Sequence, residues 1–391
     1  MLVGVTPRRL FVLAVAGQFI FGIVLALPGT LFGLPGWTGT LGFDVSAQAN
    51  LLVVFFACQC VWTGVAGRAV DRFGCERVLA AGSAIICAGF VLLAAADSIG
   101  SASLAAALLA SGGAAINASS NTMVSSAYGE RRGAMLSRMA VFGAVGALMT
   151  PVMFAAATAT GVAGRSSQLA AVAALVVAAS LTMKIHPHAS VQHPPGQLMR
   201  LLRDRWILGV ILLLSLEFGT EAVFAGWSAA YALAVVPGAP PEVVIALYWG
   251  GICLGRALAP IALARTTKRQ MVVAGAGVAA VAALALTGAS SVWTLSASIF
   301  IVGLALGPLA PTIVSLAGDR HPKQMGTVIG LLLSAGQVGS TVRPWCAAVA
   351  SGFRVAMLVP AIAITLVAAG TVIERILGRY RVLAKLGEGG T

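Results

Sequence analysis

Long apolar runs recur along the whole chain, and they constrain its fold more than any other feature. One example is LFVLAVAGQFIFGIVLALPGTLF, residues 10–32, which contains no charged residue. A helix of about 20 such residues crosses the ~30 Å hydrocarbon core of a bilayer. Only 9% of the residues are charged and 59% are hydrophobic, whereas soluble domains carry about 25% charged residues. The chain is therefore expected to be an all-α integral membrane protein.

The apolar runs predict twelve spans, which are numbered in chain order. The break between spans 9 and 10 depends on residues 288–291 alone. The polar stretch 185–205 divides the chain into a six-helix half at 1–184 and a second at 206–376, followed by a tail at 377–391. The predicted spans are 10–34, 50–70, 78–97, 101–127, 134–160, 166–184, 206–235, 243–264, 271–289, 292–317, 325–350 and 353–374.

The net charge of +13 could suggest a nucleic-acid partner, but the positions of the basic residues argue against one. With the N-terminus inside, only Arg165 and Arg354 fall in loops on the outer side, and Arg68, Arg256 and Arg343 lie within spans. Subtracting these five leaves 20 of the 25 Lys and Arg on the inner side. This bias predicts that both termini are cytoplasmic. The first apolar run is expected to be a retained helix rather than a signal peptide. The protein is expected to lie in a bacterial inner membrane.

Three pairs of stretches indicate an internal repeat that relates span 5 to span 11, span 4 to span 10 and span 2 to span 8. In the first pair, two glycines, a valine and a proline align at an offset of 193 residues. Parallel repeats with a substrate site between them are typical of secondary transporters. The pairs are FGAVGALMTP (142–151) and AGQVGSTVRP (335–344), NTMVSSAYGER (121–131) and PTIVSLAGDR (311–320), and WTGVAGR (62–68) and WGGICLGR (249–256).

The stretch GRAVDRFG, residues 67–74, lies between predicted spans 2 and 3 and is followed by Arg77. It resembles the loop 2–3 signature of the major facilitator superfamily, G-x-x-x-D-R/K-x-G-R-R/K-R/K, and departs from it at positions 75–76. The resemblance implies two pseudo-symmetric six-helix halves, a monomer, and gating roles for Gly67, Asp71 and Arg72.

Within that superfamily, three stretches are similar to the fucose/glucose permease type of sugar transporter. They are residues 117–133, 218–231 and 248–256. The resemblance implies a small-molecule substrate, with spans 1, 4, 7 and 10 lining the cavity. Proton-coupled members of that group tend to carry acids on spans 1 and 4, and this chain has none there. A proton, sodium or no coupling ion therefore all remain open.

Two acids, Glu217 and Glu221, lie four residues apart near the middle of span 7, on one helical face. A charged carboxylate near the bilayer centre is costly, so such residues usually face a cavity or a partner. Trp227 and Tyr231 follow toward the outer end of the span. Carboxylates and rings at this spacing resemble a sugar site, and a buried carboxyl can also exchange a proton.

Two arginines within spans offer partners for these acids. By depth in the membrane, Arg256 suits Glu217 and Arg343 suits Glu221, and the sequence leaves both pairings open. Ion pairs that only hold helices together are the structural alternative. We expect coupling or gating roles for Arg256, Arg343 and Glu221, since Arg343 replaces the Thr150 of the first repeat.

Four amides are candidate substrate ligands, because buried amides need hydrogen-bond partners. They are Gln18 on span 1, Asn117 and Asn121 on span 4, and Gln337 on span 11. Bonds between helices are the alternative for them. Trp249 is expected to be a packing residue.

These features predict a secondary transporter of a small polar solute, such as a monosaccharide, that alternates between two open states. If transport is coupled to protons, Glu221 is the expected coupling residue. A proton-driven exporter of amphipathic compounds is the alternative, and it would have a wide apolar cavity with one acid. The sequence contains no nucleophile motif, nucleotide loop or metal spacing. An enzyme, a cofactor and a bound metal are therefore not expected.

Overall fold

The computed structural model describes residues 7–33, 43–128, 131–159, 201–321, 325–348 and 352–372. Every regular element in these ranges is helical, so the expected all-α fold is confirmed for them. Predicted span 6 (166–184), residues 185–200 of the linker and the tail at 377–391 lie outside the described residues.

The helices keep the numbers of the predicted spans. Ten of those described are long and apolar enough to cross a membrane, and Met325–Ala348 is a further helix at span 11, so the count of twelve stays a prediction. The bounds are Pro7–Phe32 (span 1), Val45–Phe73 (2), Cys75–Ala95 (3), Ile99–Tyr128 (4), Arg132–Ala159 (5), Arg205–Val235 (7), Pro241–Leu263 (8), Lys268–Thr287 (9), Val292–Leu306 with Leu309–Arg320 (10), Met325–Ala348 (11) and Phe353–Val372 (12).

Short polar signals set several helix ends. The Asp44 carboxylate accepts a hydrogen bond from the Ala47 N–H at 2.7 Å and so caps span 2. Ser291 and Thr294 form a capping box at the start of span 10. This box explains why the short break after span 9 suffices to separate the two helices.

The two parts of the chain pack in the same way, as the sequence repeat predicts. We call the helices of residues 7–159 the first half and those of residues 205–372 the second half. Span 1 packs on span 5 as span 7 packs on span 11, and spans 2 and 4 pair as spans 8 and 10 do.

The repeated glycines explain the tightest of these contacts. A Cβ atom on Gly146 would overlap the Phe19 carbonyl oxygen, and one on Gly339 would overlap that of Ser215. Only glycine lets the two backbones approach so closely. The repeated Gly-x-x-Gly of spans 5 and 11 is therefore a packing face.

The main contacts between the described helices of the two halves are made by three helix pairs. Span 5 packs on span 8, span 2 packs on span 11, and span 1 packs on span 7. The first two pairs are related to each other by the repeat. A cavity lies between the halves and is bounded by these contacts.

Candidate central cavity

The cavity between the halves has a volume of about 210 Å³. Spans 1, 2, 4 and 5 of the first half and spans 7, 8, 10 and 11 of the second contribute to it. Its polar or charged lining residues are Gln18, Thr63, Asn117, Asn121, Ser137, Glu221, Trp249, Arg256, Ser315, Gln337 and Ser340.

Six of the residues singled out from the sequence line this cavity. They are Gln18, Asn117, Asn121, Glu221, Arg256 and Gln337. Four others on the same helices lie outside its lining, namely Glu217, Trp227, Tyr231 and Arg343. Their expected roles in binding or coupling stay predictions.

The amides of the first half form one cluster. Gln18 Nε2 donates to Asn117 Oδ1 at 2.8 Å, which joins span 1 to span 4. Asn121 Nδ2 donates to the same oxygen, also at 2.8 Å. Both acceptor sites of Asn117 Oδ1 are thus filled, and the Asn117 amide group is held in one orientation. The cluster supplies fixed donors and acceptors on one wall of the cavity.

The opposite wall carries an ion pair. Arg256 Nη2 lies 3.5 Å from Glu221 Oε1, and the two side chains are 16% and 13% exposed. This pairing corrects the expectation from span depth, which matched Arg256 to Glu217. Depth counted along two helices ignores helix tilt and the reach of the arginine side chain, and these bring Arg256 to the acid that faces the cavity.

Arg256 also contacts two backbone carbonyl groups. Its Nε atom donates to Gly307 O at 3.2 Å, where the helix of span 10 is interrupted. Its Nη1 atom donates to Ala140 O on span 5 at 3.2 Å. One guanidinium group thereby connects span 7, span 10 and the first half.

Glu217 differs from Glu221 in its burial and in its partners. Its side chain is 0% exposed, and neither carboxyl oxygen has a hydrogen-bond partner among the described residues. One helical turn therefore separates an acid that lines the cavity from one enclosed by the protein.

Arg343 contacts the backbone of span 7 rather than an acid. Its Nη1 atom donates to Ser215 O at 2.8 Å and also to Leu216 O. Thr150, its counterpart in the repeat, similarly bonds to a span 1 carbonyl, Ile23 O, at 3.3 Å. The expected pairing of Arg343 with Glu221 is not seen, since Arg256 occupies that place.

The two rings expected to contact substrate lie deeper in the second half. Trp227 Nε1 donates to Pro344 O at 3.1 Å, and the Tyr231 hydroxyl donates to Leu286 O at 2.7 Å. The Trp227 ring lies 6.0 Å from that of Phe32 on span 1. Trp227 therefore packs where spans 1 and 7 meet.

Other rings border the cavity, and the sequence did not single them out as ligands. They are Phe21, Phe56, Phe218 and Trp249. The helical period could have revealed Phe218, because residues 218, 221, 222 and 225 form one stripe along span 7 that includes Glu221. Trp249 was expected to be a packing residue, and the structure places it at the cavity wall.

The cavity is closed at one end and extends toward the other. We name the two faces of the molecule by their loops, the loop 1–2 side and the loop 2–3 side. Near the loop 1–2 side, a Cβ atom on Gly29 would overlap Ala225 O, so spans 1 and 7 touch there. Toward the loop 2–3 side, the lining continues to Thr63, Ser137 and Ser315.

The signature residues Gly67, Asp71 and Arg72 lie on the last turns of the span 2 helix rather than in a loop. Gly74 alone makes the turn into span 3, with φ of 87°, a conformation that favours glycine. Arg72 is exposed, and its guanidinium carbon lies 5.2 Å from the centre of the Phe73 ring. Their gating roles stay predictions.

Comparison with known proteins agrees with this architecture. The family model of the Major Facilitator Superfamily matches residues 14–344. The chain belongs to this superfamily. It is therefore a multi-pass membrane transporter of a small-molecule substrate and not an enzyme. No curated protein matches the sequence.

Two solved structures show the same superfamily fold. The transporter FucP, in its outward conformation, has a TM-score of 0.67 at 16% identity, with 93% of this chain and 98% of that chain covered. The nucleoside transporter NupG has a TM-score of 0.71 at 13% identity, with 94% and 99% covered. At these identities, the similarity concerns the fold alone.

Proposed function

We propose that the protein is a secondary transporter of a small uncharged polar solute, with a monosaccharide as the first candidate. The main support for this proposal is the charge balance of the cavity lining. Glu221 and Arg256 are the charged residues of the described lining, and they are paired with each other. A charged solute would need an unpaired opposite charge to offset its loss of water.

The chemistry of the walls supports a solute rich in hydroxyl groups. Amide groups both donate and accept hydrogen bonds, as hydroxyl groups do. Gln18, Asn117 and Asn121 present such groups from the first half, and Gln337 does so from the second. Sites with a few convergent polar groups among apolar walls are typical of small-molecule pockets.

The rings favour a solute that also has an apolar face. Phe21 on span 1 and Phe218 on span 7 border the cavity from opposite halves. Sugar rings combine hydroxyl edges with apolar faces, and nucleosides combine a sugar with a flat base. The similarity to FucP and to the nucleoside transporter NupG makes these two solute classes the natural first tests.

The packing supports alternating access by movement of the two halves. Spans 1 and 7 touch near Gly29 and Ala225, which closes the loop 1–2 side. Opening that side requires this contact to separate while the loop 2–3 side closes. The halves touch through a few helix pairs, so they can move as rigid units.

The orientation that fits this account places the loop 2–3 side in the cytoplasm of a bacterial inner membrane, with both termini there. The distribution of Lys and Arg supports it. The state described here would then be closed to the outside. The superfamily resemblance also suggests a monomer.

The test is uptake into proteoliposomes that contain the purified protein. Labelled monosaccharides and nucleosides are compared with amphipathic cations, with a proton gradient, a sodium gradient or no gradient. Saturable uptake of an uncharged solute supports the proposal. Movement of the cations alone would instead establish the exporter, whose expected wide apolar cavity differs from the amide-lined one seen here.

A further inference from the structure

The enclosed carboxyl group of Glu217 has no role in the proposed function, and its burial bears on whether it carries a proton. A carboxylate that is buried without partners is very unfavourable, and such a group takes up a proton instead. Glu217 meets this description, since its oxygens lack partners among the described residues and its side chain is fully buried.

The charged and titratable groups around Glu217 come from its own helix and two neighbours. Glu221 lies one turn away on span 7, while Arg256 and Arg343 interact with Glu217 electrostatically from spans 8 and 11. Tyr248 on span 8 donates its hydroxyl to the Glu221 backbone oxygen at 3.2 Å. Neither arginine lies within ion-pair distance of Glu217 in the described structure.

The two arginines differ in their contacts with the acids of span 7. Arg343 is fixed by carbonyl oxygens of span 7 and packs against Gly219. Arg256 contacts Glu221 through a single pair of atoms at 3.5 Å, which is longer than the 2.7–2.9 Å of a strong charge-assisted hydrogen bond. The Nη2 atom is therefore held loosely by that acid, while Nε and Nη1 are bonded to Gly307 O and Ala140 O.

We propose that Glu217 is the proton-carrying site of this transporter and that Glu217 and Glu221 share Arg256. In the state described here, Arg256 pairs with Glu221 and Glu217 is a neutral acid. When solute occupies the Glu221 carboxylate, Arg256 turns to Glu217. The O–H bond of Glu217 then breaks, its electron pair stays on the carboxylate oxygen, and the proton passes to water.

This exchange rests on the proposed function, and it adds the step in which solute takes the place of Arg256 at Glu221. It adds a specific assignment to that function. The coupling expected at Glu221 alone is divided between two acids, one that contacts solute and one that holds the proton. Arg256 is then a positioning residue, because its movement from Glu221 to Glu217 links solute binding to proton release.

Infrared spectroscopy of the purified protein at neutral pH tests the assignment without any solute. A neutral carboxylic acid has a C=O stretching band that carboxylates lack. We expect this band in the wild type and its loss in Glu217→Gln. We also expect its loss in Glu221→Gln, because the freed Arg256 then pairs with Glu217. The double variant Glu221→Gln/Arg256→Gln should regain the band.

The pattern across these variants separates the alternatives. If Glu221 itself held the proton, Glu217→Gln would keep the band, and that result would overturn the proposal. A band that survives in Glu221→Gln would show that Arg256 is not shared. Glu242→Gln is the matched control, because Glu242 is a half-buried acid in the first turn of span 8, and it should leave the band unchanged.

A second measurement uses the wild-type protein alone, so it applies even if the variants fail to fold. Carbodiimides react with neutral carboxyl groups in apolar surroundings, and peptide mass spectrometry locates the adduct. Wild-type protein should be labelled at Glu217 and not at Glu221, and the reverse result would contradict the proposal. Neither measurement requires solute, so both still test the role of Glu217 if the uptake panel finds no transported compound.

Discussion

Arg256 and Ala140 lie in opposite halves of the molecule, and Arg256 Nη1 donates to the Ala140 carbonyl oxygen at 3.2 Å. The same guanidinium group pairs with Glu221 in the cavity. Under the proposed function, solute that binds at Glu221 would act on a group that also touches the other half. This gives a direct physical route from binding to the relative position of the halves.

Arg256→Lys is expected to lower the uptake rate on the order of tenfold, because the single nitrogen of a lysine cannot reach all three partners that the separate guanidinium nitrogens contact. The measurement is the initial rate of uptake per folded molecule. The matched control is Arg68→Lys, the counterpart in the repeat, since Arg68 is exposed and bonds to Gly64 O of its own helix at 3.4 Å. Equal rates for both variants would contradict the role of Arg256.

Gly29→Ala is expected to hold the loop 1–2 side open. The added Cβ would overlap the backbone oxygen of Ala225, which cannot turn away as a side chain would. Distances between spin labels at the loop 1–2 ends of spans 1 and 7 should lengthen, and uptake should fall. Gly209→Ala is the control, because no described atom lies within 4 Å of a Cβ there. Unchanged label distances would refute this gate.

Arg343→Thr is expected to affect stability more than transport. The contacts of Arg343 with Ser215 O and Leu216 O favour a packing role over the gating role expected from the sequence. Losing charged hydrogen bonds costs about 1.5–3 kcal/mol each, so the melting temperature should fall while solute affinity stays the same. A large increase in KM with normal stability would instead support a role of Arg343 in transport.

Asn117→Leu is expected to raise KM on the order of tenfold, since each 1.4 kcal/mol of lost binding corresponds to that factor. The change removes the oxygen that orients both Gln18 and Asn121. Thr122→Val is the control on the same helix, because its hydroxyl bonds to Ala118 O at 2.9 Å within that helix. Similar KM values for both variants would show that the amide cluster does not contact solute.

The sequence predicted the fold well because the bilayer imposes a simple rule on it. Each span must be apolar over a nearly fixed length, and polar caps such as Asp44 and Ser291 mark the ends. The glycine repeat of spans 5 and 11 is a site of close packing in the structure, through Gly146 and Gly339.

The site was harder to predict because it depends on how each helix is turned and tilted about its axis. Glu217 and Glu221 share a face by spacing, yet only Glu221 reaches the cavity. Trp227 was expected to contact substrate but packs where spans 1 and 7 meet. The pairing of Arg256 likewise depends on side-chain reach, which span depth does not include.

The most direct test of the central claim is solute counterflow in proteoliposomes, which needs no ion gradient. Vesicles loaded with unlabelled monosaccharide, nucleoside or amphipathic cation are diluted into the same compound in labelled form. The account predicts exchange by the wild type, exchange that persists in Glu242→Gln, and exchange on the order of tenfold slower in Asn117→Leu at solute concentrations below KM. Counterflow confined to charged amphipathic compounds, or full exchange by Asn117→Leu, would contradict it.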